Sequence, residues 1–538
     1  VKYTKTNIPY ADTGAFGKIA IDYLEGKSDL RSFYREAFKL ENIPQSIVGR
    51  IDFDKSKRET LVKVLHDQYQ GLSMSSATKE NLKKLTESNC FTITTGHQLN
   101  LFTGPLYFIY KIVHAIKLAA ACSEKYSDHQ FVPVYWMHTE DHDIAEINHF
   151  NVFGKKVSWT TAEEGIAGEL PTETLMIILF QLKEVLGDKA NDEEILRLLK
   201  ESYTGTDNLA AATRHFTNQL FGEKGLLILD PRDKRLKAQF ADVFVDDLSK
   251  HNLYKKVKST SEELDKKGYK VQALPRALNT FYLHEGRRDK ILYIDSVDKY
   301  QFETAGDVLE EKELLDLVKA YPERFSPNVL MRPLYQESIL PNLVYIGGGG
   351  ELAYWLQLKA AFTYFQVPFP LLAMRNSVLW IDQKLQKRIG EFKLTSIDLF
   401  GDTDTLITRL TRAGSEGTLL EAESKELEKL FNRILTKAKS VNPQMEKTVM
   451  GEFKKQFKAI QNLEGKILRE VKRKNETELN RLRKVKEKLF PSNSLQERKD
   501  NIIEYWSKYG KEFIDILFRE LEPSNETFLV LTEQESES

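Results

Sequence analysis

The stretch CFTITTGHQLNLFTGPLYFIYKIVHAIKLAAAC, residues 90–122, decides how the rest of the chain is read. Cys90 to Thr95 is an apolar, β-branched run that predicts a buried strand. Gly96, His97 and Gln98 follow as a predicted turn, and after Thr103, Gly104 and Pro105 comes a long apolar-faced helix. A second run, FVPVYW at 131–136, predicts another strand and leads into His138, Glu140, Asp141, His142, Asp143, Glu146 and His149. Strand, helix, strand is the unit of a parallel sheet, whose strands open at their carboxyl ends onto one ligand-binding edge. Glycine at 96 permits a sharp turn and close approach to a ligand, and a helix start offers unpaired N–H groups to an anion. The predicted site is a polar pocket between the ends of these two strands.

The same texture recurs further out. GLLILD (225–230) and FPLLAMR (369–375) predict strands, and LVYI (343–346) predicts one that runs into Gly347, Gly348, Gly349 and Gly350 and a helix from Glu351. That corner has the form of a backbone cradle, although its spacing fits neither a dinucleotide fingerprint nor a P-loop. Helical patterns cover 169–201 and 235–266, while VQA (271–273), TFYLHE (280–285) and KILYID (290–295) alternate like antiparallel strands of an inserted piece. From about 419 the periodicity changes: Phe453, Ile460 and Ile467 recur by seven, Leu482 and Leu489 repeat that step, and Phe457, Val471 and Val485 complete a seam.

The chain is thus read as α/β in four parts. Residues 1–89 form a helical extension of the core, with helices at 23–40, 58–70 and 77–88. Residues 90–400 form the parallel-sheet core, with insertions at about 151–224 and 235–324. Residues 401–490 form a coiled-coil helical hairpin. Residues 491–538 dock back on the core through the aromatic face of Tyr505, Trp506 and Tyr509, with the last eight residues frayed.

Composition narrows the function. With 78 Lys and Arg against 79 Asp and Glu, the formal charge of -1 gives no electrostatic case for nucleic acid or an anionic membrane. The stretch 466–488 is locally basic but lacks interleaved aromatics, so a solvated helix face is the plain reading. Two cysteines in apolar context, no signal-peptide core and no apolar run of 18 residues point to a reduced, cytoplasmic protein. There is no GxSxG, CxxC or Walker sequence.

His138 and His142 stand four apart and would share a helix face with Glu146, which suits a two-histidine, one-carboxylate metal site. The zincin order is missing, because Thr139 stands where Glu would be, so a metal-free polar pocket is preferred. Asp141 and Asp143 flank His142 and would orient its ring or raise its basicity. His97 and Gln98 are candidate hydrogen-bond partners of an anion, and Glu351 suits a cap or the recognition of a ribose or amine. Arg276, Arg332 and Arg375 lie near predicted strand ends, where an acidic substrate needs such a group.

Four separated motifs, TTGHQLNLFTGPLYFIYKI (94–112), WMHTEDHDIAEINH (136–149), FSPNVLMRPLYQESILPNLVYIGGGGELAYW (325–355) and LFPSNSLQER (489–498), together resemble the BshC family of bacillithiol-biosynthesis proteins. The resemblance spans nearly the whole chain. It implies a Rossmann-like core similar to that of nucleotidyltransferases and class I aminoacyl-tRNA synthetases, with connecting insertions and a coiled coil that makes a homodimer. The implied activity is a ligase forming an amide C–N bond between L-cysteine and the amino group of glucosaminyl-malate. An adenine nucleotide, ATP or ADP, is the cofactor associated with the fold, and no tightly bound metal is expected.

Carried onto this sequence, the resemblance implies Glu140, Asp141, His142, Asp143 and His97 as catalytic groups. The first motif offers Gly96, Gln98, Thr103 and Gly104 as binding residues, and the second Asn148 and His149. The third offers Ser326, Asn328, Arg332, Gln336 and Glu337, then Gly347, Gly348, Gly349, Glu351 and Tyr354; Arg375 lies just beyond it. Two rival readings remain: a metal-dependent hydrolase or transferase acting on a small amide, and a coiled-coil scaffold with an inactive core.

Overall fold

The computed structural model describes residues 2–161, 165–413 and 419–534. At its centre five strands run parallel, in the order Leu371–Met374, Asn342–Gly347, Cys90–Gln98, Gln130–His138 and Leu227–Leu229. Layers cover the sheet on both faces, which is why its strands read as nearly unbroken apolar runs rather than alternating ones. The helix Tyr107–Lys125 returns the chain from the Cys90–Gln98 strand to its neighbour, burying twelve side chains. The chain first builds outward to Leu227–Leu229, then comes back to lay Asn342–Gly347 on the other side of Cys90–Gln98. That reversal makes a switch point at the carboxyl end of the central strand, where a crevice opens.

The strand Cys90–Gln98 is longer than expected. It continues through Gly96, His97 and Gln98, which pair with Trp136, Met137 and His138. The turn expected at Gly96 falls instead at 102–104, where Phe102 (φ 49), Thr103 (φ 70) and Gly104 (φ 62) lie in the left-handed region. The Asn501 side chain locks this turn by donating to the carbonyls of Phe102 and Gly104.

The insertion after the third strand carries three helices, Lys234–Ala238, Ala241–Ser249 and Asn252–Lys266, where one long helical stretch was expected. It also carries an antiparallel sheet of Val308–Leu309, Lys299–Phe302, Arg287–Ile294, Thr280–His284 and Phe325–Pro327. The expected strand at 271–273 does not form. Gln357 takes its backbone groups instead, accepting from Gln272 and Ala273 N–H and donating to the Ala273 carbonyl.

The amino-terminal part is less helical than its pattern suggests. Lys55–Gln68 and Ser76–Lys84 are helices, but 23–40 is interrupted at Gly26 (φ 66) and continues as a 3₁₀ turn, Ser28–Phe33. Ahead of them the strand Tyr3–Pro9 pairs antiparallel with Thr527–Glu533, which pairs in parallel with Val378–Ile381. The two ends of the chain therefore share one three-stranded sheet, and 531–533 is strand rather than frayed tail; 535–538 lies outside the described residues.

The late helices Glu421–Val441 and Glu446–Lys474 form an antiparallel hairpin joined through Pro443–Met445, with Phe431 against Phe453. The seam does not continue through Leu482 and Leu489. The helix breaks at Asn475, and Glu476–Leu489 turns Leu479 and Leu482 onto Leu406 and Ile407, and Val485 and Leu489 into the main core. Lys486 is likewise no part of a free basic face: it donates to the carbonyls of Leu399 and Gly401. Among the described residues, no helix is long and apolar enough to cross a membrane.

Candidate functional site

A cavity of about 670 Å³ opens at the switch point, within the range of small-ligand sites. Three strand ends supply its floor: Gly96, His97 and Gln98 from one, Trp136 through Asp141 from the next, and Gly348 through Glu351 from the third. The insertion contributes Gln272, Arg288, Pro327, Asn328 and Val329, and the helix Arg332–Ile339 contributes Arg332 and Tyr335. Arg498 reaches the wall from beyond the coiled coil. Five basic side chains (Lys111, Arg288, Arg332, Arg375, Arg498) thus face three carboxylates (Glu140, Asp141, Glu351).

The carboxylates are held firmly. Glu140 forms an ion pair at 2.7 Å with Lys237, a fully buried lysine that also donates to the Phe325 carbonyl, and Ser326 donates to it at 2.7 Å. Asp141 accepts from the Gln98 amide at 2.6 Å and from the His142 N–H. Glu351 accepts from Tyr345 at 2.6 Å, pairs with Lys111 at 2.5 Å and caps the Gly348 N–H. Despite burial, its carboxyl is held below the ordinary range, because Lys111 and the Gly348 N–H favour the charged form. The glycine corner is accordingly filled by the chain's own carboxylate and is no open phosphate cradle.

The cations differ in how far they are satisfied. Arg375 is neutralised by Glu497 at 2.7 Å. Arg332 is buried, yet its hydrogen-bond partners are the neutral Gln336, Tyr345 and Tyr354. Arg288 donates to Ser326 and to the Pro327 carbonyl, with its Nη1 3.2 Å from His142 Nδ1. His97 is buried against Tyr107 and Phe108, and burial followed by the nearby Lys111 brings its pKa down to about 3. It is neutral at physiological pH and cannot act as a cationic phosphate ligand.

Of the residues singled out from sequence, Gly96, His97, Gln98, His138, Glu140, Asp141, Asn328, Arg332, Gly348, Gly349, Gly350, Glu351, Tyr354 and Arg375 meet in this wall. The others lie off it. Thr103 and Gly104 belong to the turn held by Asn501. His142 is half-exposed outside the cavity, and Asp143 caps the short helix Ile144–Ile147. Asn148 and His149 lead into the strand His149–Val152, behind the site. Ser326 acts through Glu140, and Gly347 ends its strand. Gln336 and Glu337 are fully buried; Glu337 pairs with Arg50 at 2.6 Å, and burial pushes its carboxyl up to about 7. His138 ends a strand, so it does not share a helix face with His142 and Glu146. Among the described residues no group of three His, Cys, Asp or Glu is arranged to hold a metal.

Sequence reasoning missed Lys111, Lys237, Arg288 and Arg498. A lone lysine on the apolar face of the 107–125 helix was a usable signal, since such a group is buried only with a partner. Arg498 closes the fourth motif, LFPSNSLQER, and that place is its signal in the sequence. Lys237 and Arg288 carried no signal in their own segments.

Comparison with known proteins gives a consistent result. The family model described as the Rossmann-like N-terminal domain of bacillithiol biosynthesis BshC matches residues 3–376, and that of the C-terminal coiled-coil domain matches 378–533. A protein of Flavobacterium johnsoniae is 40% identical over 527 residues, covering 98% of this chain and 99% of its own. One from Flavobacterium psychrophilum is 41% identical over 527 residues, covering 97% and 98%, and one from Cytophaga hutchinsonii is 32% identical, covering 97% of each. All three bear the name "Putative cysteine ligase BshC".

Proposed function

The chain belongs to the BshC family, and we propose that it is a cysteine ligase of bacillithiol biosynthesis, joining the carboxyl group of L-cysteine to the amino group of glucosaminyl-malate. The observation that carries this reading is the meeting of Gly96, Asp141, Arg332 and Glu351 in one cavity with cationic and anionic walls. Such a cavity suits a substrate pair that bears carboxylates and an amine together.

The residues divide by what they have left to offer. Arg332, with only neutral partners, holds the malyl carboxylates by charge-assisted hydrogen bonds. Glu140 and Asp141, fixed by Lys237 and Gln98, receive the amino groups. The donor set also fits a nucleotide: Arg288 and Arg498 would hold its phosphates, away from the filled glycine corner. When bound, ATP would supply the activation of the cysteine carboxylate. Leu430, Ile434 and Leu463 are exposed on the hairpin and make it the surface for homodimerisation, which light scattering on the eluted peak would check. Two buried free thiols, Cys90 and Cys122, suit the reducing cytoplasm.

Incubation of the protein with L-cysteine and glucosaminyl-malate, with and without ATP, tests the activity. The expected product has the mass of the two substrates less one water. Its absence under both conditions overturns the reading.

A further inference from the structure

Two imidazoles that line the cavity, His97 and His138, have a buried Nε2 with no hydrogen-bond partner, and His97 is packed against Tyr107 and Phe108. His138 ends the strand Gln130–His138, lines the cavity beside Gly96, and its buried Nε2 is unpartnered. Gly96 is what makes room for it, since a Cβ there would stand 2.7 Å from Nε2. Four other groups of the cavity wall, from four different elements, act on the ring electrostatically: Arg332 from the helix 332–339, Lys111 from the helix 107–125, His97 from the adjacent strand and Arg288 from the insertion. Each carboxylate of the cavity is held by partners of its own, Glu351 by Lys111 and Tyr345, Glu140 by Lys237 and Ser326, and Asp141 by Gln98. Burial first, then the positive charges of Arg332, Lys111 and Arg288, keep the ring unprotonated, well below the ordinary histidine range. His142, the base suggested by sequence, stands outside the cavity beside Arg288.

We propose that His138 is a catalytic residue: its Nε2 accepts the proton shed by the attacking amine, and the anionic substrate itself turns this base on. The inference rests on the ligase reading above. The amine nitrogen attacks the carbonyl carbon of an activated, anhydride-type form of the cysteine carboxylate. A C–N bond forms, the C–O bond to the leaving group breaks, and the leaving oxyanion departs with the electron pair. The surplus proton on nitrogen passes to Nε2 and goes to solvent after product release. In the free protein burial, and after it the surrounding cations, make the ring a very weak base. A substrate carboxylate seated on Arg332, whose hydrogen-bond partners are all neutral, offsets its charge, so basicity rises only when the cavity is loaded.

Two measurements on the full chain test this. For His138→Gln, kcat falls about 10²–10⁴-fold while KM for glucosaminyl-malate stays within about threefold, and His142→Gln stays near wild type. A His138→Gln enzyme, shown folded by its melting curve, that keeps kcat within about threefold overturns the proposal. His138→Asn serves if the first variant does not fold. The second measurement needs no turnover: ¹⁵N-histidine-labelled wild type is titrated with and without L-malate, the His138 signal being identified by its loss in the variant. In free protein the ring titrates well below the ordinary histidine range, and saturating malate moves its titration upward. A free-protein titration near the ordinary value, or no response to malate, overturns the proposal. If wild type makes no amide product, the ligase reading fails on its own, and the titration still decides whether His138 is an anion-switched base.

Discussion

Replacing Glu497 by alanine strikes the contact that ties the segment after the coiled coil to the parallel sheet. Its Oε1 accepts from Arg375 at 2.7 Å and its Oε2 accepts from the Val378 N–H at 3.0 Å. The two side chains are 0% and 4% exposed, so neither charge is repaid by water once its partner is gone. Arg375 would keep its Nη1 bonds to the Asn376 carbonyl and Ser377 hydroxyl, but its charge would be stranded. Breaking a buried pair from one side costs about 3–5 kcal/mol. An unfolding entropy near 2.1 cal/mol/K per residue gives about 1.1 kcal/mol/K for 538 residues. Scanning calorimetry of Glu497→Ala should therefore show a melting temperature lower by about 3–5 °C, if the chain unfolds as one unit. Adding Arg375→Met removes the orphaned charge and should recover more than half of the loss. A single variant melting within about 1 °C of wild type, or a double variant no better than the single, would refute the reasoning.

Gly96→Ala forces a methyl group to within 2.7 Å of His138 Nε2; it should cost about 1–3 kcal/mol in urea unfolding and displace the imidazole enough to abolish turnover. Arg332→Met should raise KM for glucosaminyl-malate by about 10–100-fold, from the loss of about 1.5–3 kcal/mol of charged hydrogen bonding, and leave KM for cysteine nearly unchanged. His114 is buried with a pKa lowered to about 3, chiefly by burial, so the unfolded chain binds its proton more tightly. Its contribution to stability is complete above the unfolded value near 6.5 and is lost as pH falls toward 3, at about 1.4 kcal/mol per pH unit. Urea midpoints of wild type should therefore fall faster below about pH 6.5 than those of His114→Gln, and parallel curves would exclude the effect.

The central strands were legible because a strand covered on both faces writes itself as a short β-branched run, as in Cys90–Thr95 and Phe131–Trp136. The neighbours that give a residue its purpose were not. Gly96 was read as a turn because glycine permits one, whereas its smallness serves a histidine across the strand pair. Glu337 stood out as a charge among apolar residues; its partner, Arg50, lies nearly 300 positions earlier in the chain, and the pair is structural. Flanking carboxylates single out His142 in the sequence, yet the strand carries His138 inward and releases His142 outward. Lys237 sits in a short, charged helix that reads as solvent-facing until the Glu140 pair is seen.

The sheet that unites the two ends of the chain has a consequence for synthesis. The strand Tyr3–Pro9 leaves the ribosome long before its partner Thr527–Glu533. Asn7 and Asn525, hydrogen-bonded at 3.0 Å, are 518 positions apart, a delay of roughly 25–100 s at about 5–20 residues per second. Throughout that interval the early strand is an unpaired edge, open to stray pairing. Its sequence, YTKTNIP, is fitted to the wait: polar on most positions, with Lys5 near its middle and a proline at its end. Arg498 and Glu497 also emerge late, so the growing chain has no finished reaction chamber until the segment beyond the coiled coil arrives.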